Sequence, residues 1–162
     1  MSLEIERKFL LASDAWRNGA SSGRRLKQGY LAKSITGATV RLRITGDEAF
    51  LTIKSPSDGM TRSEFEYNIP LADAEDMLEK LCSGCAVEKI RYLVPAGDDL
   101  RWEIDEYLGE NAGLFTAEIE LPTPDTKFDC PAWLGKEITD DYRYANSALS
   151  EKPFSTWREK NA

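Results

Sequence analysis

Apolar and charged residues alternate with a period of two along most of the first 121 residues, the spacing of strands whose two faces meet different surroundings. The pattern predicts eight strands, near 3–11, 24–32, 38–46, 48–55, 62–70, 86–94, 100–108 and 115–121. Gly46-Asp47-Glu48 reads as a tight hairpin turn and Pro56-Ser57-Asp58-Gly59 as a longer one. Helical spacing is rare. Leu71 to Leu81 sets Leu71, Ala74, Met77, Leu78 and Leu81 on one face just after Pro70, and Asp140 to Ser150 groups Tyr144, Ala145, Ala148 and Leu149. A short helix is expected near 13–18, entered at Ser13. No repeat or linker divides the chain, so one domain is expected over 1–152, followed by a tail of weak periodicity, 153–162. The expected fold class is mainly β (α+β). Eight antiparallel strands close into a barrel, which removes exposed edges, and a few helices flank it.

The polar faces of these strands are unusual. Glu4, Glu6 and Lys8 oppose Ile5 and Phe9; Arg41 and Arg43 oppose Val40, Leu42 and Ile44; Lys54 opposes Leu51 and Ile53. Glu64 and Glu66 oppose Phe65, Tyr67 and Ile69, and Lys89 and Arg91 oppose Ile90 and Tyr92. Arg101, Glu103 and Asp105 oppose Trp102 and Ile104, and Glu118 and Glu120 oppose Ile119 and Leu121. On any one strand this is what a solvated surface looks like. Across seven strands the sorting of charge by sign calls for another reason. If the charged faces point inward, they line a tunnel whose outside is covered by helices and apolar packing. A dry interior could not hold such a set, because each unpaired buried charge costs several kcal/mol. A hydrated tunnel filled by a polyanion and cations could, with acidic doublets on metal ions and basic doublets on phosphate oxygens.

Composition narrows the chemistry. The 162 residues include no histidine, which removes His-dependent hydrolases, His-ligated metals and histidine acid–base catalysis. Carboxylate-only donors favour Mg²⁺ or Mn²⁺. Three cysteines argue against a disulfide framework, and Cys82-x-x-Cys85 lacks the partners of a zinc site, so it reads as two thiols where a helix meets a strand. The net charge of −7 disfavours nucleic acid held on a basic surface. No run approaches the roughly 20 apolar residues of a membrane helix. The acidic N-terminus lacks the apolar stretch of a signal peptide, so a cytoplasmic location is expected.

Glu4-Ile5-Glu6-Arg7-Lys8 resembles the E-x-E-x-K signature that opens the CYTH proteins, the triphosphate tunnel metalloenzymes. The resemblance runs to about residue 150 through Gln28-Gly29-Tyr30-Leu31, Arg41-x-Arg43, Thr52-Ile53-Lys54-Ser55, Glu64-x-Glu66 and Glu88-Lys89-Ile90-Arg91-Tyr92. It continues with Glu103 and Asp105, Glu118 and Glu120, and Gly135-Lys136-Glu137-Ile138-Thr139 ahead of Arg143-Tyr144-Ala145-Asn146. It implies an eight-stranded antiparallel tunnel acting on triphosphates with Mg²⁺ or Mn²⁺. Glu4, Glu6, Glu118 and Glu120 are the implied metal ligands, with Glu64 and Glu66 as further candidates. Lys8, Arg41, Arg43, Lys54, Lys89 and Arg91 are the implied phosphate ligands, and Arg143 is similar to a family residue near the tunnel mouth.

The chain is compact, without an insertion to read a base or an mRNA end, and looks most like small bacterial members that prefer inorganic tripolyphosphate. Tripolyphosphate hydrolysis is therefore the expected activity. A class IV-type adenylyl cyclase, a thiamine triphosphatase and a non-catalytic polyphosphate- or nucleotide-binding module are the alternatives. Relatives often form dimers, so a homodimer is an expectation too. The base would be a carboxylate, water activated by the metal, or a lysine or tyrosine of lowered pKa. Lys89 and Lys54 are candidates, as is Tyr30 acting with Lys54 in a Tyr–Lys dyad.

Overall fold

A computed structural model describes residues 2–34 and 36–157. Nine strands form one sheet: β1 (Ser2–Leu11), β2 (Arg24–Ala32), β3 (Thr39–Thr45), β4 (Glu48–Lys54), β5 (Thr61–Ile69), β6 (Ser83–Gly97), β7 (Leu100–Tyr107), β8 (Phe115–Glu120) and β9 (Leu134–Glu137). The first eight are joined in the order β5-β4-β3-β2-β6-β7-β8-β1, and pairing of β1 with β5 closes the ring. All pairings are antiparallel. The expected eight-stranded barrel is present.

Closure uses both edges of β1. One edge pairs Glu6 to Leu10 with β8. The other pairs Ser2 to Ile5 with β5, and is then taken over by the short β9 from Phe9 onward. This ninth strand was not expected, because four residues centred on Gly135-Lys136 carry too little alternation to stand out. β6 is longer than its predicted span, running from Ser83 to Gly97.

Helix α1 (Leu71–Lys80) forms where its apolar spacing predicts and lies across β2, β3 and β4. The contact is close: a Cβ on Gly29 would sit 2.7 Å from Leu78 Cδ2 and 2.9 Å from Cys82 Sγ. The helix expected over 140–150 is instead broken. A 3-10 turn at Tyr142–Tyr144 ends in Ala145, whose extended backbone (φ −63°, ψ 138°) interrupts the run before α2 (Asn146–Glu151). The short helix near 13–18 is a 3-10 turn at Ala15–Gly19. Packing also continues past the expected domain boundary, since Phe154 is buried and Trp157 meets Tyr144 and Phe154 edge to face at 5.1 Å. The remainder of the expected tail, 158–162, lies outside the described residues.

Two apolar clusters hold the barrel from different sides. One joins Ile5, Phe9, Trp102, Ile104, Ala117 and Ile119 on the outer faces of β1, β7 and β8. Trp102 is its centre, with Phe9, Phe128 and Trp133 edge-on at 5.6 to 5.7 Å. The other includes Val87 and Tyr107, which share the inward parity of Lys89, together with Ile138, Tyr144, Leu149 and Phe154. It stoppers one end of the barrel with α2 and the turn before it. Gly84 makes that docking fit: its φ is +75°, and a Cβ there would lie 2.4 Å from the Ser150 carbonyl oxygen. The expected apolar cover is incomplete elsewhere, because Leu3, Phe65 and Tyr67 on β1 and β5 are exposed.

Candidate functional site: a charge-lined tunnel

The strand register turns a charged parity inward on β1 and on β3 to β8. Glu6 faces Glu120 and Lys8 faces Glu118 across β1 and β8; Glu103 faces Glu118 across β7 and β8. Arg91 faces Asp105, Tyr30 faces Arg41, and Lys54 faces Glu64 across their pairs. Inside is a cavity of about 600 Å³. It is lined by eight basic side chains (Lys8, Arg41, Arg43, Lys54, Arg62, Lys89, Arg91, Arg101) and nine acidic ones (Glu4, Glu6, Glu64, Glu66, Glu103, Glu118, Glu120, Asp140, Asp141). Tyr30 also lines it. Thirteen of the fourteen expected site residues thus meet in one cavity. Arg143 does not: its guanidinium is half exposed, held by Asp141 at 2.7 Å, and stacked beside Tyr144 and Trp157.

Within the tunnel, carboxylates and bases are bonded to each other. Lys54 Nζ donates to both oxygens of Glu4 at 3.1 and 3.0 Å, and Arg62 Nε donates to Glu4 Oε2 at 3.2 Å. Arg62 also reaches Glu6 at 3.9 Å. Lys8 pairs with Glu118 at 3.3 Å and donates to the Tyr144 carbonyl at 2.8 Å, which ties the stopper to β1. Thr52, between Arg41 and Glu66, accepts from the first at 3.3 Å and donates to the second at 3.2 Å. At the base of the cavity Asp105 accepts from Lys89 at 2.7 Å and from Arg91 at 2.8 and 2.9 Å, while Arg91 also reaches Glu103 at 2.7 Å. Lys89 donates as well to Asn146 Oδ1 at 3.0 Å, where α2 begins.

Burial and neighbouring charge set the protonation states. Burial pulls the Lys89 ammonium down to about 7, with Arg91 and Arg43 adding to the effect and Asp105 opposing it. Lys54 is lowered by burial and the Arg41 charge, against the pull of Glu4. Burial pushes Glu118 up, but Lys8 and the other nearby cations outweigh it and hold its carboxyl at about 2. Glu6 goes the other way, pushed up to about 8 by burial and by the charges of Glu118 and Glu4. Burial raises Tyr30, although Arg41 and Arg43 pull it down.

The expected Tyr–Lys dyad is not formed. The Lys54 ammonium is bonded to Glu4, and the Tyr30 hydroxyl accepts from Gln28 Nε2 at 3.1 Å. A phenol whose pKa is raised by burial is also a poor base at neutral pH. Arg62 was absent from the sequence-derived set, yet it bridges Glu4 and Glu6. Its parity with Glu64 and Glu66 at the start of β5 was the signal that would have placed it inside.

Two observations bear on what the tunnel accepts. Arg41 Nε is buried with no hydrogen-bond partner among the described residues, a donor suited to an anionic oxygen. The Glu6 carboxyl, raised by burial and then by the charges of Glu118 and Glu4, stands among like charges that a hard cation would relieve. The carboxylates fit such an ion by charge and donor type. Among the described residues they are not gathered into a ready shell of three or more ligands, because Glu4 and Glu118 are turned onto lysine and arginine.

Known proteins resemble this chain in sequence and fold. The chain is 42% identical over 159 residues to an inorganic triphosphatase from Acetivibrio thermocellus, covering 98% of this chain and all of that protein. It is 38% identical to an inorganic triphosphatase from Nitrosomonas europaea, covering 91% and 96% of the two. The crystal structure of the inorganic triphosphatase NE1496 superposes with a TM-score of 0.65 at 36% identity, covering 93% of this chain and 95% of that one. A putative adenylyl cyclase from Hippeastrum, HpAC1, shares the fold at a TM-score of 0.58 and 15% identity, with 76% and 81% covered. The CYTH domain matches residues 2–152. By its sequence and by its closed, charge-lined barrel, the chain belongs to the CYTH domain family.

Proposed function

We propose that this protein hydrolyses inorganic tripolyphosphate to diphosphate and orthophosphate. The observation that carries the reading is the barrel cavity in which eight bases meet an acidic cluster, in a chain alike over most of its length to inorganic triphosphatases. Lys8, Arg41, Arg43, Lys54, Lys89 and Arg91 would hold the phosphate oxygens, and Arg62 and Arg101 line the same space. A hard divalent cation, Mg²⁺ or Mn²⁺, held by Glu4, Glu6, Glu118 and Glu120, with Glu64 and Glu66 nearby, would neutralise charge on the phosphate oxygens.

The chain's own residues then do the following. The basic set aligns three linked phosphates and spreads their charge, which is most of what phosphoryl transfer asks of a protein. A water oxygen attacks the terminal phosphorus, the bridging P–O bond breaks, and its electron pair leaves with diphosphate. Lys89, its ammonium lowered to about 7, would exchange the proton, and Lys54 is the second candidate. Asp105 fixes Lys89 and Arg91 in place.

Phosphate release from tripolyphosphate, ATP and thiamine triphosphate tests this, each with Mg²⁺, Mn²⁺ or EDTA. Turnover should be fastest on tripolyphosphate, vanish in EDTA and return with either metal. Full activity on metal-free protein overturns the cation assignment. Cyclic AMP from ATP, or faster release from thiamine triphosphate, moves the chain to another activity, and binding without turnover makes it a polyphosphate-binding module.

A further inference from the structure

Gln28 is fully buried on β2, and both ends of its amide are engaged. Its Oε1 accepts from Arg43 Nε at 3.1 Å, and its Nε2 donates to the Tyr30 hydroxyl at 3.1 Å. The orientation follows from chemistry. A guanidinium only donates, so the amide oxygen faces Arg43 and the NH₂ faces Tyr30. The Tyr30 oxygen is therefore an acceptor in this contact, and its hydrogen must turn elsewhere.

The charges nearest in effect to that hydroxyl are cations. The charges acting on Tyr30 come from Arg41, Arg43 and Arg62, and Lys33 Nζ stands 5.9 Å from its ring centroid. Among the described residues the Tyr30 O–H donates no hydrogen bond, and its one partner is the Gln28 amide. Arg41, its register partner across β2 and β3, carries the other orphaned donor, Nε–H. Two unmatched donors stand on neighbouring strands of the tunnel wall, and leaving a buried donor unmatched is costly.

From this pattern we propose that Gln28 is a positioning residue that makes Tyr30 a hydrogen-bond donor to a phosphate oxygen of the substrate, alongside Arg41 Nε. The inference rests on the tripolyphosphate reading. It assigns Tyr30 to grip rather than to proton abstraction, and burial of its phenol keeps the donated proton in place at neutral pH. Gln28 touches no substrate. It acts by denying Tyr30 the alternative hydrogen-bond direction.

A double-mutant cycle tests it. Gln28→Glu keeps the shape and the acceptor for Arg43, but its second oxygen accepts the Tyr30 proton and takes it from the substrate. Tyr30→Phe removes the donor outright. The affinity of each variant for metal-free tripolyphosphate is measured by calorimetry, with circular dichroism to confirm the fold. Each single change should weaken binding about 10- to 100-fold, the loss expected for one hydrogen bond to a charged oxygen. In the Tyr30→Phe background, Gln28→Glu should cost much less than in wild type, leaving only the effect of its added charge. Gln28→Leu repeats the cycle without that charge, and should likewise depend on Tyr30. In turnover the losses should fall on KM with kcat nearly kept, the mark of a contact made equally in ground and transition states. Equal losses in both backgrounds, or a Tyr30→Phe variant that binds like wild type, overturn the proposal. Turnover of the wild-type protein is scored separately, so tight binding with the expected coupling but no hydrolysis would refute the activity and leave the Gln28 role standing.

Discussion

Replacing Asp105 with asparagine should be the most damaging isosteric change in the tunnel wall. The Asp105 carboxylate is buried to 1% exposure and accepts from both Lys89, equally buried, and Arg91. Asparagine keeps the volume and one acceptor oxygen, but removes the charge and points an NH₂ at donors. Removing one partner of a buried ionic network leaves uncompensated charge, at a cost of about 3–5 kcal/mol. For a chain of this length about 2–4 °C of melting temperature goes with each kcal/mol, so a fall of roughly 6–20 °C is expected. The loss should depend on pH. Lys89 titrates near 7 in the native protein and sheds its proton more readily once Asp105 is gone. Its share of the destabilisation is therefore present at pH 6 and mostly absent at pH 9, where the lysine is neutral in both proteins. Tripolyphosphate supplies negative charge to the same two bases, so saturating ligand should raise the melting temperature of Asp105→Asn more than that of wild type. Thermal melts at pH 6 and 9, with and without tripolyphosphate and without metal, provide the measurement. A fall under about 2 °C at pH 6, with equal ligand shifts in the two proteins, would refute the idea that Asp105 carries the Lys89–Arg91 pair.

Above pH 7, tripolyphosphate binding should take up a proton, because the anion favours a charged Lys89; calorimetry in buffers of different ionisation enthalpy reads that uptake directly. Glu118, held at about 2 in the folded chain against an ordinary 4.5, stabilises the ionised native state above pH 4.5, and that contribution is lost as pH falls toward 2. Urea midpoints should therefore drop over that window, and drop less in Lys8→Met, which lacks the main cation beside it. Gly84→Ala should loosen the stopper through strain at φ +75° and the clash with Ser150 O, showing a lowered melting temperature and faster hydrogen exchange in α2. Trp102→Ala removes the ring around which Phe9, Phe128 and Trp133 pack; a loss of about 3–5 kcal/mol in urea unfolding is expected, with the tunnel residues untouched.

The strands and their inward faces were legible because period two is absolute: once Glu4 and Glu6 share a face with Lys8, the pleat decides which residues meet across the barrel. The tunnel's membership followed, since register needs only parity. What was hidden depended on distance rather than parity. Nothing in the spacing says that Lys54 turns to Glu4 rather than Tyr30, because these residues lie on three different strands and long side chains choose among several neighbours. Arg143 was expected near the tunnel mouth from family resemblance, and spacing could not show that its guanidinium turns onto the adjacent Asp141, which lines the cavity where Arg143 does not. Asp105 was seen on the inner face, but its role as counter-ion emerges only when Lys89 and Arg91 are both found on it. β9 is held by pairing to β1, a long-range contact that four residues cannot announce.

The near cancellation of charge inside the tunnel has a kinetic consequence. The protein as a whole carries −7, so most of that excess belongs to the exterior rather than to the cavity wall. A free triphosphate approaching from bulk water meets a repulsive field first and the arginines only after entering. Screening over a Debye length of about 10 Å at 0.1 M salt weakens the outer repulsion more than the short contacts within. Association should therefore quicken as salt is first added, while dissociation changes little, the reverse of a steered encounter. A counter-ion travelling with the triphosphate lowers the same barrier, so the complexed anion should arrive faster than the bare one.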